Sequence, residues 1–133
     1  MPVRSLNSSV LRWPDKETVV RALRSWIQEQ KKKKPGLLGF GFFGSYARGD
    51  WGPGSDLDLL AVVEEENAPF IERARRWPLE RLPVPASILV YTLAEWNRLQ
   101  AEGGRFARTL AEETVWLIGP APTSGVGDAR GTA

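Results

Sequence analysis

Two apolar runs, "LLGFGFF" at Leu37–Phe43 and "LDLLAVV" at Leu57–Val63, are separated by the loop "GSYARGDWGPGSD". Runs of this length and apolar density, bounded by glycine and proline, are expected as buried strands. The loop therefore has to join two neighbouring strands across one end of a sheet. Its two ends carry unusual residues for that task. The first strand runs into Gly44-Ser45, and the second is entered through Asp56 and carries Asp58. Residues two apart on a strand share a face, so these two carboxylates point the same way. Side by side they repel each other, and a dry strand gains nothing from them.

The chain has no cysteine and no histidine. That removes disulfide frameworks, zinc sites built on thiolate or imidazole, and thiol- or histidine-based catalysis. Acid–base or metal chemistry is left to carboxylates, hydroxyls, lysines and arginines. Mg²⁺ suits such a set, because it favours one or two carboxylates with water and phosphate oxygens completing its shell. On the other side of the loop, Gly44 lets backbone approach a ligand closely, and "SYAR" can begin a short helix whose first amides point outward. Ser45 adds an adaptable hydroxyl, and Arg48 lies one turn on to neutralise charge. A phosphate cradle followed by metal carboxylates fits a nucleoside triphosphate with its magnesium. Taken alone, a Gly-Ser turn is usually only a turn, and a lone Asp-x-Asp often solvates a strand start; their conjunction carries the reading. Asp50 reads as a loop carboxylate rather than a ligand.

The remaining sequence supplies the frame. Asp15 is placed to cap a helix whose apolar stripe is Val19, Val20, Leu23, Trp26 and Ile27, closed by Lys31–Lys34 and Pro35-Gly36. Ala68–Arg81 is expected as a helix with Phe70, Ile71, Ala74 and Trp77 inward. "VPASILVYT" at Val84–Thr92 is a third strand. Thr92 and Glu95 form a capping box for a helix to about Ala101, a second helix spans about Phe106–Glu113, and "TVWLI" closes the sheet. The fold class is therefore α+β: a mixed sheet of about four strands with helices mainly on one face. Residues 1–13 are expected as a loose lead-in, 14–118 as one domain, and 119–133, rich in Gly, Pro, Ser and Thr, as a disordered tail. Length agrees with one core, since 133 residues make one domain.

A net charge of +2 gives no support for nucleic-acid binding. No apolar run reaches the roughly 18 residues of a membrane span. The N-terminal residues lack the apolar core of a secretory signal, so a cytoplasmic location is expected. Of six tryptophans, Trp51 alone lies between the cradle and the carboxylates, where it either stacks on a base or anchors the loop. Arg98, Arg105 and Arg108 form a basic strip open to an acidic or nucleic-acid partner, or simply to solvent.

The stretch "GSYARGDWGPGSDLDL" resembles the signature of the DNA polymerase β-like nucleotidyltransferase superfamily: Gly-Ser, ten residues, then Asp-x-Asp, with "ARG" and the Ser-Asp before "LDL" matching as well. Over Pro14–Ile118 the chain is most similar to the small stand-alone forms called minimal nucleotidyltransferases. The resemblance implies a polymerase β-like fold in which Gly44 and Ser45 bind the β and γ phosphates and Asp56 and Asp58 hold two Mg²⁺ ions. An acceptor hydroxyl then attacks the α-phosphorus of the triphosphate, ATP in the first instance. It also implies an all-helical HEPN-type protein as partner in a toxin–antitoxin pair, in which some members transfer AMP to the toxin. The abundant tryptophan makes a homodimer a further expectation.

One departure stands out. Active members carry a third carboxylate on the strand after the intervening helix, and here that strand offers Ser87, with Ala86 next to it should the register slip. A full charge at contact distance is worth about 4 kcal/mol at an effective dielectric near 20, and a hydroxyl does not replace it. Two readings therefore stay open: an active transferase, or a nucleotide- or partner-binding module that has lost its chemistry.

Overall fold

The computed structural model describes residues 13–119. The expected lead-in and tail otherwise lie outside the described residues. Trp13, however, is half-buried and donates its indole N–H to the Tyr46 hydroxyl at 3.1 Å.

Helix α1 spans Lys16–Lys33. Asp15 caps it, its carboxylate accepting the Thr18 amide at 2.8 Å, and three lysines in its last turn complement the helix dipole. Strand β1 (Leu37–Phe43) follows, then a single helical turn α2 (Ser45–Arg48), then β2 (Leu57–Val63). Two 3₁₀ segments, Phe70–Arg76 and Leu79–Arg81, lead to β3 (Ala86–Thr92). Helices α3 (Leu93–Glu102) and α4 (Arg105–Glu113) then carry the chain to β4 (Val115–Ile118).

The sheet order is β3-β2-β1-β4, with β1 antiparallel to both β2 and β4 and β2 parallel to β3. The α+β class and the mixed four-strand sheet are those expected. The helices are divided more evenly than one main face. Leu57, Leu59 and Ala61 of β2 pack with Leu23, Trp26 and Ile27 of α1 on one side. Leu60 and Val62, of opposite parity, pack with Trp96 of α3 and Leu110 of α4 on the other. This explains why β2 reads as apolar almost throughout: both of its faces are covered. Gly41 is required where β4 crosses β1, since a Cβ there would collide with the Val115 carbonyl.

The expected helix over Ala68–Arg81 is corrected. Pro69 precedes the first 3₁₀ segment and Pro78 separates it from the second, so no α-helical run is completed. The tighter winding also changes which residues turn inward. Ile71 is 85% exposed and Phe70 is exposed as well, whereas Arg73 is buried. Its guanidinium bonds the carbonyls of Ala68 and Val90, each at 2.9 Å, and forks onto both carboxylate oxygens of Glu95 at 2.6 and 3.0 Å. Trp77 keeps its expected place, in an aromatic cluster with Trp26 and Phe40. Among the described residues no helix is long and apolar enough to cross a membrane.

Candidate nucleotide and metal site

One end of the sheet gathers the chemistry. There β1 ends, β2, β3 and β4 begin, and α4 arrives with its last turn. The cleft at this end has a volume of about 400 Å³, and Gly44, Ser45, Arg48, Asp56 and Asp58 all line it. Residues far apart in sequence meet there because the register is fixed: Asp58 pairs with Phe43 across the antiparallel ladder and with Ser87 across the parallel one.

Gly44 is the hinge between cradle and carboxylates. Its φ is +79°, and a Cβ would run into Oδ2 of Asp58. Only glycine meets both conditions. The turn that follows is anchored by Tyr46, which is fully buried and stacks its ring on Trp51 at 5.5 Å and 9°. That stacking favours Trp51 as a loop anchor: one ring face is taken and the residue is half-buried. Beyond it, Ser55 closes the return turn by accepting the Gly52 amide at 2.8 Å. The Leu57 amide then bonds the Pro85 carbonyl, fixing the start of β2 beside that of β3.

The two aspartates differ in setting. Asp56 is exposed and Asp58 half-buried. Burial pushes the Asp58 carboxyl above its ordinary range, opposed by the hydrogen bond from Ser87; the Asp56 charge and, more weakly, that of Glu113 push it the same way as burial, while Arg48 opposes. Ser87 stands in register with Asp58, and its hydroxyl donates to Asp58 Oδ1 at 3.3 Å. Glu80 and Asp50 do not join the pair: Glu80 is exposed, and Asp50 binds Arg48 at 3.1 Å. Among the described residues no group of three or more acidic side chains is arranged to enclose a metal. A dedicated protein cage is thus absent there, but two neighbouring carboxylates whose repulsion Ser87 and Arg48 only partly offset fit Mg²⁺ that takes its remaining ligands from phosphate and water.

Glu113 was not anticipated from the sequence. It ends α4, and its carboxylate accepts the Gly44 amide at 3.0 Å and a hydrogen bond from Arg48 Nη1 at 3.4 Å. Phe106 and Thr109, at helical spacing from Glu113, line the same cleft. The available sequence signal was this stripe, which adjoins the buried Ala107 and Leu110. Arg98, Arg105 and Arg108 are exposed.

Comparison with known proteins agrees with this geometry. The profile of the family "Nucleotidyltransferase domain" matches residues 23–117. Among solved structures, the chain is similar to a candidate nucleotidyltransferase from Sulfolobus solfataricus, with a TM-score of 0.54 at 20% identity, over 76% of this chain and 80% of that one. A second similar structure is a toxin–antitoxin with AMP-PNP, with a TM-score of 0.51 at 18% identity, over 72% of this chain and 73% of that one. At these identities the likeness is one of fold. No curated protein matches the chain significantly.

Proposed function

Since the chain belongs to the nucleotidyltransferase domain family, we propose that it is a Mg²⁺-dependent transferase that moves a nucleoside monophosphate, AMP in the first instance, from a nucleoside triphosphate to a hydroxyl of a protein or small molecule. The observation that carries this reading is the anion already seated in the cleft. The Glu113 carboxylate rests on the Gly44 amide and Arg48, in the cleft that Asp56 and Asp58 also line. A pocket that binds an anion and offers two carboxylates beside it suits a phosphate chain accompanied by a divalent cation.

In this account the Gly44 amide, the Ser45 hydroxyl and the Arg48 guanidinium bind and orient the β and γ phosphates. Asp56 and Asp58 would hold Mg²⁺, two ions by family resemblance, which when bound supplies charge neutralisation and polarises the reacting phosphoryl group. The acceptor oxygen forms its bond to the α-phosphorus as the bond from that phosphorus to the bridging oxygen breaks. Pyrophosphate leaves with the bridging oxygen, and the hydroxyl proton passes to solvent. The toxin–antitoxin neighbour with AMP-PNP lends support to an adenine nucleotide and to a protein partner. By resemblance that partner is a helical HEPN-type toxin, this chain is its antitoxin, and both work in the cytoplasm.

A second reading is favoured by one specific contact. Ser87, which by family resemblance stands where active members carry a third acid, bonds Asp58; in this reading the chain keeps nucleotide or partner binding without turnover. Incubation with α-labelled ATP, Mg²⁺ and hydroxyl-bearing acceptors, including a helical partner protein, separates the two. Label on an acceptor supports the transferase. Nucleotide- and Mg²⁺-dependent thermal stabilisation with no label on any acceptor supports the binding module.

A further inference from the structure

We propose that Phe106 is the platform on which the nucleobase stacks, an inference that rests on the nucleotide site described above. Phe106 is 48% exposed and belongs to neither apolar core, although its helical neighbours Ala107 and Leu110 are buried. Its ring lines the cleft that holds Gly44 and Asp58. Phe106, Thr109 and Glu113 fall at i, i+3 and i+7, one stripe of α4 facing that cleft. Glu113 marks the phosphate end of the stripe, because it sits on the Gly44 amide. Phe106 lies two turns away, about 10 Å along the helix axis at a rise of 1.5 Å per residue. From the anion-binding Gly44 amide, where Glu113 now rests, the wall runs past a hydroxyl to an exposed aromatic face, which is the order of phosphate, sugar and base in a nucleotide.

The other aromatic near the loop is engaged elsewhere, since Trp51 stacks on Tyr46. A phenyl ring has no hydrogen-bonding edge with which to read a base. It selects by overlap, which favours a purine over a pyrimidine.

The test is calorimetric titration, in Mg²⁺, of the wild type, Phe106→Ala and Phe106→Trp with two probes. These are α,β-methylene-ATP, which cannot transfer its α-phosphoryl group, and tripolyphosphate, which has no base. Phe106→Ala is expected to weaken the nucleotide analogue by about 10-fold or more, the range of one base–aromatic stack, with tripolyphosphate unchanged. Phe106→Trp is expected to retain analogue binding, and circular dichroism verifies that both variants fold. Equal affinities of wild type and Phe106→Ala for the analogue would overturn the platform while leaving the nucleotide site intact. Equal weakening of both probes would overturn it too, by showing a general disturbance of the cleft. Wild type that binds neither probe would overturn the nucleotide site and the platform together.

Discussion

The Ser87 hydroxyl donates to Asp58 Oδ1 at 3.3 Å across a parallel strand pair in which the two residues are direct register partners. A third carboxylate at position 87 would therefore stand beside Asp58 without any shift of backbone. Ser87→Asp is expected to lower the melting temperature in the absence of divalent cation, because it adds a like charge next to a half-buried aspartate. Mg²⁺ should reverse that loss and raise α-labelled AMP transfer by at least about 10-fold, an added charge being worth more than 1.4 kcal/mol at such a site. Melting curves with and without Mg²⁺, read beside the label assay, check both parts. Unchanged transfer would remove the missing acid as the limit on catalysis.

Glu113 occupies the donors that the proposed site offers a triphosphate, Gly44 N–H and Arg48 Nη1. Hydrogen bonds to a charged group contribute about 1.5–3 kcal/mol, so an entering phosphate has to displace a competitor of that order. Glu113→Gln keeps the shape and removes the charge. It is expected to tighten tripolyphosphate and nucleotide binding about 10-fold. Weaker binding would instead make Glu113 a support of the Gly44 turn.

Gly44→Ala tests the junction of the two halves of the site. The substitution demands a positive φ of a residue with a Cβ and drives that Cβ into Asp58. A loss of at least about 2 kcal/mol in urea unfolding is expected, from backbone strain with steric displacement added. Mg²⁺ should also cease to stabilise the variant, since Asp58 has been moved.

The site's features were legible in the sequence to different depths, and the reasons are physical. Leu37–Phe43 and Leu57–Val63 appear as read, because buried strands need unbroken apolar runs and the loop between them needs glycine. Thr92 and Glu95 form the expected capping box, a wholly local signal. The segment after Pro69 was misread because a period of 3.6 was applied where the backbone winds at three residues per turn, and because a buried arginine has no apolar signature. Glu113 reaches Gly44 across 69 positions of chain, a contact set by how α4 lies on the sheet. The Phe106, Thr109 and Glu113 stripe marks one face of α4, but no local pattern says what that face meets.

Arg73 and Glu95 tie the 3₁₀ segment to α3, and the pair carries a pH signature. The Arg73 hydrogen bond, assisted by the Thr92 amide, holds the Glu95 carboxyl down at about 2, against an ordinary 4.5. A carboxyl lowered on folding contributes stability that is fully present above its unfolded value and lost as pH falls through its folded value. Wild-type urea midpoints should therefore fall as pH drops from 4.5 towards about 2. Arg73→Met should flatten that component and cost about 1–2 kcal/mol at neutral pH, less than a fully buried pair because the Glu95 carboxylate is 42% exposed and keeps the Thr92 amide. An acid limb of equal slope in both proteins would contradict the assignment.

The central claim is that Gly44, Ser45 and Arg48 together with Asp56 and Asp58 form one nucleotide–metal site. Titration of α,β-methylene-ATP into the wild type and into the Asp56→Asn/Asp58→Asn double variant, each with and without Mg²⁺, tests it most directly. The account predicts saturable binding by the wild type that strengthens with Mg²⁺, and loss of the Mg²⁺ effect in the double variant. No binding by the wild type, or an Mg²⁺ effect that survives loss of both carboxylates, would contradict it.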